Sequence, residues 1–185
     1  MSGYKILLTG TAGVGKTTAI TAVSDIRPMM VDVRNAAAPG SPSLIPIGLS
    51  YGELTLPSGQ TVRLYATPSR NRFDIAWRVL SEKSLGLIVL INNSRPDPLG
   101  DLDSTLAGYK ALIEKKACVV AISRMPTHPQ PDMDAFASHL QSRGVLCPVL
   151  PTDTRDSAQV MQLLELVVLQ LNASTRGMSE DSGWL

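Results

Sequence analysis

The sequence predicts a single α/β domain built on a mostly parallel sheet, and three features indicate this class. Apolar runs typical of buried strands alternate with stretches of helical periodicity for most of the 185 residues. A glycine-rich segment, residues 10–18, joins the first apolar run to the first helical one. Two extended runs are separated only by residues 57–60, Pro-Ser-Gly-Gln, and so short a turn makes the two strands antiparallel.

The order of elements follows from the same patterns. We expect six strands, with one antiparallel pair at an edge, and about five helices. The predicted strands are residues 5–9, 47–56, 61–66, 86–91, 117–122 and 145–150. The predicted helices are residues 16–24, 71–84, 101–114, 132–142 and 157–171. Residues 27–46 hold four prolines without periodicity, which predicts a long irregular loop.

The chain length suits one domain, which we place at residues 1–171. Residues 172–185 are rich in Ser, Gly and charged side chains, and we expect a disordered C-terminal tail there. The two cysteines, Cys118 and Cys147, lie in apolar runs and are expected to act as small buried hydrophobes.

Composition excludes several classes of function. The formal net charge is +1 and the basic residues are spread along the chain, so we expect no nucleic-acid partner. The longest apolar run, residues 85–91, is too short to cross a bilayer, so we expect a cytoplasmic protein without direct membrane insertion.

The glycine-rich segment is the strongest signal of chemistry. It matches G-x-x-x-x-G-K-[ST] in full, and it lies between a predicted strand and a predicted helix, as a phosphate-binding loop must. Its glycines let successive N–H groups point inward, and the helix that follows presents the positive end of its dipole. The predicted nucleotide-binding residues of this loop are Gly10, Thr11, Ala12, Gly13, Val14, Gly15, Lys16, Thr17 and Thr18.

Three side chains of the loop have predicted roles. Lys16 is expected to place its ammonium between the β- and γ-phosphates, where it also assists catalysis. The Thr17 hydroxyl is expected to ligate Mg²⁺, the predicted cofactor, and Thr18 to lie near the α-phosphate.

Over residues 4–171 the chain resembles the Ras-like small GTPases, and among them the bacterial MglA-like group and related predicted bacterial GTPases. The resemblance rests on the phosphate loop, on the hairpin after an irregular loop, and on residues 64–73 and 119–126. It implies a Ras-like P-loop fold, a GTP/GDP ligand and a molecular switch. It also implies a regulatory or effector protein as partner, with a Roadblock-type protein as one candidate.

The chain departs from the family in the segment that meets the γ-phosphate. The family has Thr-Pro-Gly-Gln-x-Arg-Phe, and here Ser69 replaces its glycine while Arg70 replaces its water-orienting glutamine. Arg70 could instead stabilise developing charge, as an arginine finger does, or it could be a solvated side chain. The first switch of the family caps the metal with a threonine, and Ser43 is the residue near that position that could ligate Mg²⁺. The residues that match the family segment are Thr67, Pro68, Arg72 and Phe73.

The base-reading motif of the family is also altered. Ser123, Arg124, Met125 and Pro126 stand where the family has Asn-Lys-x-Asp, so the specificity carboxylate is missing. Asp132 or Asp134 could substitute only if the loop folded back. Thr152 and Asp153 fall in the loop that supports the base through backbone N–H groups in the family.

These observations predict a nucleotide-binding switch, with GTP the expected ligand and hydrolysis slow or dependent on a partner. A pseudo-GTPase scaffold that binds one nucleotide, or none, is the first alternative. A P-loop kinase or ATPase is the second, although such an enzyme needs an arginine-rich lid, and Arg143 and Arg155 are the only late arginines before the tail.

Overall fold

A computed structural model describes residues 3–33, 47–67, 85–113 and 117–180. Within these ranges the chain forms one seven-stranded sheet in the order β2-β3-β4-β1-β5-β6-β7. The strands are β1 (Tyr4–Gly10), β2 (Met29–Val33), β3 (Ile47–Thr55), β4 (Thr61–Ala66), β5 (Leu85–Asn92), β6 (Cys118–Ser123) and β7 (Val149–Pro151). The helices are α1 (Lys16–Val23), α2 (Pro98–Ile113), α3 (Met133–Ser142) and α4 (Ser157–Glu180).

The sheet is parallel from β4 across β1, β5 and β6 to β7, while β2, β3 and β4 are joined by antiparallel pairs. The hairpin between β3 and β4 closes at the pair Thr55 and Thr61. In its turn, Gly59 has a φ of 79°, a left-handed conformation that favours glycine. The parallel strands all end at one edge of the sheet, so the loops that follow them lie close together.

Helices cover both faces of the sheet, because side chains alternate along each buried strand. Ile6 and Leu8 of β1 pack on one face, against α1 and α4, while Leu7 packs on the other with α2 and α3. On that second face, Tyr109 of α2 and Phe136 of α3 are the largest fully buried side chains among the described residues. Strand β1 is the fourth of the seven strands and is covered on both faces, so it lies at the centre of the domain.

The predicted fold class is confirmed, with differences in three elements. Seven strands form where six were predicted, because β2 lies in the segment expected to be an irregular loop and pairs with β3. Strand β7 is limited to Val149–Pro151, whereas we expected residues 145–150. Helix α4 continues past the predicted end at Leu171 to Glu180, so most of the expected disordered tail is helical. The predicted helix 71–84 lies outside the described residues.

Gly86 of β5 offers a test of how tightly α4 packs on the sheet. A Cβ at this position would overlap the Cγ1 methyl of Val167, which is fully buried. We expect Gly86→Ala to lower the free energy of unfolding by about 1–3 kcal/mol, because a β-branched valine cannot swing away. Val167→Ala should lower the free energy of unfolding less in the Gly86→Ala background than it does in the wild type. Urea denaturation of the wild type, both single variants and the double variant measures this coupling, and additive losses would contradict the contact.

Candidate functional site

The segment between β1 and α1 forms a tight loop with an unusual backbone. Gly10, Gly13 and Gly15 have φ values of 139°, 73° and 103°, a region that L-residues with side chains rarely adopt. Helix α1 begins at Lys16, and its N-cap, Gly15, provides no side chain to accept a hydrogen bond. The helix therefore directs backbone N–H groups and the positive end of its dipole toward the loop, as an anion site requires.

Two of these glycines are also required by close packing. A Cβ on Gly10 would overlap the carbonyl oxygen of Leu90 in β5, and a Cβ on Gly15 would overlap the Thr154 hydroxyl in the loop after β7. A Cβ on Gly13 would meet no atom of the described residues within 4 Å. The loop is thus pressed against β5 at one end and against the loop after β7 at the other, and it faces open space in the middle.

Lys16, the first residue of α1, has only 7% of its surface exposed. Its ammonium donates hydrogen bonds to the carbonyl oxygens of Gly10 at 2.8 Å and Thr11 at 2.9 Å. Burial lowers the pKa of Lys16 to about 8. Two neutral carbonyls are weak partners for a buried charge, and a phosphate oxygen would be a stronger one.

A cleft of about 320 Å³ opens beside the Lys16 ammonium. In it, the Oγ1 of Thr17 lies 3.0 Å from the Oγ of Ser50 on β3, so two hydroxyl groups meet at this point. The sequence did not single out Ser50, because its position depends on the pairing of β3 with β4. The lining residues are Gly13, Val14, Gly15, Lys16, Thr17, Thr18, Met30, Ser50, Ala66 and Thr67.

This cleft fits Mg²⁺ only in combination with phosphate. Its described lining offers hydroxyl oxygens but no carboxylate, and no group of three or more His, Cys, Asp and Glu suited to a metal ion occurs within the described ranges. Mg²⁺ bound with nucleotides often takes one or two protein ligands and fills its other positions with phosphate and water. The Thr17 hydroxyl is compatible with that role.

Thr67 is the last described residue before segment 68–84, and it is tied to β1. Its backbone N–H donates to the Leu8 carbonyl at 3.0 Å, and its hydroxyl donates to Oγ1 of Thr9 at 3.3 Å. Thr9 in turn donates to the Tyr109 hydroxyl of α2 at 3.1 Å. A chain of buried hydroxyl groups therefore joins the smaller cleft beside Lys16, which we call the phosphate cleft, to α2.

A second and larger cleft, of about 790 Å³, borders the opposite side of the loop. Its walls come from the start of α1, from the loop after β6 and from the loop after β7. The lining residues are Gly13, Val14, Gly15, Thr18, Ser123, Arg124, Met125, Pro126, Thr127, Leu150, Pro151, Thr152, Asp153, Thr154, Arg155, Gln159 and Gln162. A cavity of this size can accept a nucleoside.

The loop after β6 is held in place by Asn93, which sequence reasoning missed. Asn93 is 2% exposed, and its Nδ2 donates to the carbonyl oxygens of His128 at 2.6 Å and Pro131 at 3.0 Å. Its backbone N–H donates to the Ser123 carbonyl at 3.1 Å. Arg124 adopts a φ of 65°, the one positive value for a non-glycine among the described residues. Such strain persists where surrounding contacts enforce it.

The loop after β7 carries an ion pair at the mouth of the larger cleft. The Oδ1 of Asp153 accepts from the backbone N and the Nε of Arg155, each at 3.0 Å, and its Oδ2 accepts from Nη2 at 2.7 Å. These hydrogen bonds from Arg155 lower the pKa of Asp153 to about 2. The carboxylate is therefore ionised throughout the physiological pH range.

The structure brings most of the predicted site residues together. Of the nine predicted residues from Gly10 to Thr18, six line one or both clefts, and Gly10 lies close against β5. Thr11 and Ala12 line neither cleft. Ser123, Arg124, Thr152 and Asp153 all border the larger cleft. Asp132 caps α3 by accepting from the Ala135 N–H at 2.9 Å, and neither it nor Asp134 lines the cleft. Ser43 and Arg70 lie outside the described residues.

No family model matches the chain, and no curated protein matches it. Solved structures do. The G domain of the T. maritima FeoB iron transporter superposes with a TM-score of 0.62 at 19% identity, covering 91% of this chain and 99% of that one. The chain has the fold of a GTPase G domain.

Two longer structures give the same result. An S. thermophilus NFeoB mutant bound to GDP matches with a TM-score of 0.62 at 15% identity, over 94% of this chain and 63% of that one. The cytosolic domain of T. maritima FeoB in its GMPPNP form matches with a TM-score of 0.60 at 19% identity, over 91% of this chain and 64% of that one. The chain thus spans slightly less than two-thirds of these longer proteins, and the likeness concerns the fold.

Substitutions at Gly13 and Gly15 test separately the two requirements on the loop, which are a left-handed backbone and room for close packing. We expect Gly13→Ala to cost about 1–2 kcal/mol of unfolding free energy, the usual penalty for a left-handed alanine. Gly15→Ala should cost more, because its Cβ also overlaps the Thr154 hydroxyl. Urea denaturation of both variants tests this order, and equal losses would show that the Thr154 contact does not constrain the loop.

Proposed function

We propose that this chain is a nucleotide-binding molecular switch of the small-GTPase type, with GTP as its ligand and with slow or partner-dependent hydrolysis. One observation carries the proposal. The buried Lys16 lies at the N-terminus of α1, beside a cleft that contains several hydroxyl groups, and the same glycine-rich loop also borders a cleft large enough for a nucleoside.

Phosphate binding would follow from the chain's own groups. The N–H groups of the loop and of the first turn of α1 would donate to phosphate oxygens, and Lys16 would exchange the Gly10 and Thr11 carbonyls for β- and γ-phosphate oxygens. Thr17 would hold Mg²⁺, with Ser50 or Ser43 as a second hydroxyl near the ion. When bound, Mg²⁺ neutralises charge on the phosphates.

The base would lie in the larger cleft, between the loops after β6 and β7. The preference for guanine comes from the resemblance to Ras-like GTPases, and the GDP-bound and GMPPNP-form structures of FeoB support it, since they share this fold.

The switch itself would use residues 34–46 and 66–73. A bound triphosphate would hold both segments, and loss of the γ-phosphate would release them. Thr67 is the second residue of the 66–73 segment, and its hydrogen bonds to β1 hold the beginning of that segment next to the phosphate cleft.

Slow hydrolysis follows from the residues at the second segment. Arg70 stands where the family places a glutamine, and a guanidinium has no acceptor for a water proton. Arg70 could still stabilise charge on the transferred phosphoryl group, so a partner that orients the water would restore turnover.

A pseudo-GTPase scaffold is the second candidate. It is favoured by Pro126, which replaces the guanine-reading acid of the family, and by Arg70. The two proposals differ in whether GDP and GTP forms have different affinity for a partner, for which a Roadblock-type protein is our first choice. A kinase or ATPase receives less support, since the described lining of the phosphate cleft offers no carboxylate.

We place the protein in the cytoplasm on the basis of its composition. Among the described residues, no helix is both long and apolar enough to cross a bilayer.

Lys16→Ala tests the phosphate site. We expect it to weaken binding of GTP and GDP about ten- to a hundredfold, because hydrogen bonds to charged groups contribute about 1.5–3 kcal/mol. Isothermal titration with Mg²⁺ and nucleotide-stripped protein measures the loss. Lys110→Ala, at an exposed position in the last turn of α2, is the matched control and should bind as the wild type does. Wild-type affinity in Lys16→Ala would remove the phosphate site from this loop.

Single-turnover hydrolysis tests the second part of the proposal. With GTP bound and no partner present, we expect a rate near or below the intrinsic value of about 10⁻⁴ s⁻¹ known for small GTPases, since Arg70 cannot orient water. Phosphate release from the purified complex measures it. Rapid hydrolysis by the isolated chain would contradict the assignment, while Arg70→Gln should raise the rate if the water is otherwise well placed.

A further inference from the structure

We propose that Asp153, in the loop after β7, is the residue that reads the guanine base, replacing the acid that is missing after β6. The inference rests on the proposed function, since it concerns the base half of the same site. It assigns to Asp153 a side-chain role in specificity in addition to any support from the loop backbone.

The first argument is position. Asp153 is the one carboxylate among the described residues that line the larger cleft. The same cleft is lined by Gly13, Gly15 and Thr18 of the phosphate loop, so a nucleotide with its phosphates on that loop has its base within this space. Asp132, the nearest acid after the β6 loop, is engaged in capping α3.

The second argument is chemistry. The Watson–Crick edge of guanine presents two adjacent donors, N1–H and the N2 amino group, and an ionised carboxylate offers two acceptors at matching separation. Adenine has an acceptor at N1, which would face the carboxylate without a proton. Arg155 lowers the pKa of Asp153 to about 2 in the empty site, and an aspartate without that partner has a pKa of about 3.9, so the carboxylate is an ionised acceptor at physiological pH in either state.

The third argument is rigidity of the backbone that carries the carboxylate. The Thr152 N–H donates to the Ile122 carbonyl of β6 at 2.8 Å, and the Asp153 N–H donates to Oε1 of Gln159 at 2.8 Å. The Asp153 carbonyl accepts from the Asp156 N–H at 3.0 Å. The Asp153 backbone is therefore fixed to both β6 and α4, which suits a residue that selects by geometry.

Arg155 must release the Asp153 carboxylate before that carboxylate can bind guanine. Its three hydrogen bonds fill both lone pairs of Oδ1 and one of Oδ2, which leaves too few acceptors for both guanine donors. The Arg155 side chain is 80% exposed, and exposed ion pairs contribute little to stability, so the guanidinium can turn to solvent when the base enters. Arg155 then serves as the partner of Asp153 in the empty site.

The test compares guanine with hypoxanthine and xanthine, which differ from it at position 2, and with adenine, which also lacks the N1 proton and differs at position 6. GTP, ITP, XTP and ATP are titrated against the wild type, Asp153→Asn and the control Asp134→Asn. Asp134 is an exposed carboxylate in the first turn of α3 and does not line the cleft.

We expect the wild type to bind GTP about tenfold or more tightly than ITP, which lacks the N2 amino group, and more tightly than ATP. Asp153→Asn should lose about ten- to a hundredfold in GTP affinity and gain affinity for XTP, because the asparagine amide can donate to the C2 carbonyl of xanthine. Asp134→Asn should keep the wild-type order.

The possible failures are distinct. Unchanged base preference in Asp153→Asn overturns the inference and leaves the nucleotide site intact. An equal loss for all four nucleotides also overturns it, because a base-reading residue alters their ratio. A wild type that binds triphosphates without regard to base overturns it as well, while a wild type that binds no nucleotide overturns the proposed function itself.

Discussion

The bend between β1 and α1 is the constraint on which the rest of the site depends. Gly10 abuts β5 and Gly15 abuts Thr154, and neither position has space for a side chain. Because β1 is paired on both sides, with β4 and β5, the bend cannot relax by moving the strand. The sheet therefore sets where α1 begins and where its N–H groups point. Affinity for phosphate would come from backbone groups that need no reorganisation when the ligand arrives.

Lys16 adds a positive charge to this backbone site, and burying that charge destabilises the protein when no ligand is bound. Its ammonium is buried, and the loop carbonyls that accept its hydrogen bonds are neutral. The lowered pKa shows that these carbonyls only partly compensate for the lost hydration. An anion bound in the loop would offset this desolvation penalty by attracting the ammonium. The empty site therefore favours a charged ligand over a neutral one.

The sequence could predict the elements whose signals are local. The phosphate loop, the hairpin and the buried parallel strands follow from spacing and turn residues, and apart from the shorter β7 they lie where we expected. Strand β2 was missed because Met29 to Val33 follows a proline and becomes a strand only by pairing with β3. Helix α4 runs longer than its apolar stripe, since a helix once nucleated adds polar residues at little cost.

The functional side chains that the sequence did not reveal depend on contacts between distant parts of the chain. Asn93 follows β5 but holds the loop after β6, and no pattern around it indicates that role. Ser50 faces Thr17 only because of the register between β3 and β4. Arg155 was read as a poor lid residue, whereas it pairs with the acid two positions before it.

The neighbouring positions of β6 and β7 explain how base recognition could move from one loop to another. The strands are parallel and directly paired, with Val120 opposite Val149, so their carboxyl ends open onto one cleft. Residues of both following loops line this space, Arg124 after β6 and Asp153 after β7. The loop after β6 is committed to a turn that Asn93 holds and that a left-handed Arg124 begins, and its third residue, Pro126, is a proline. A carboxylate on the loop after β7 needs no change in that turn. Loss of the usual acid therefore does not by itself imply loss of guanine recognition in this fold.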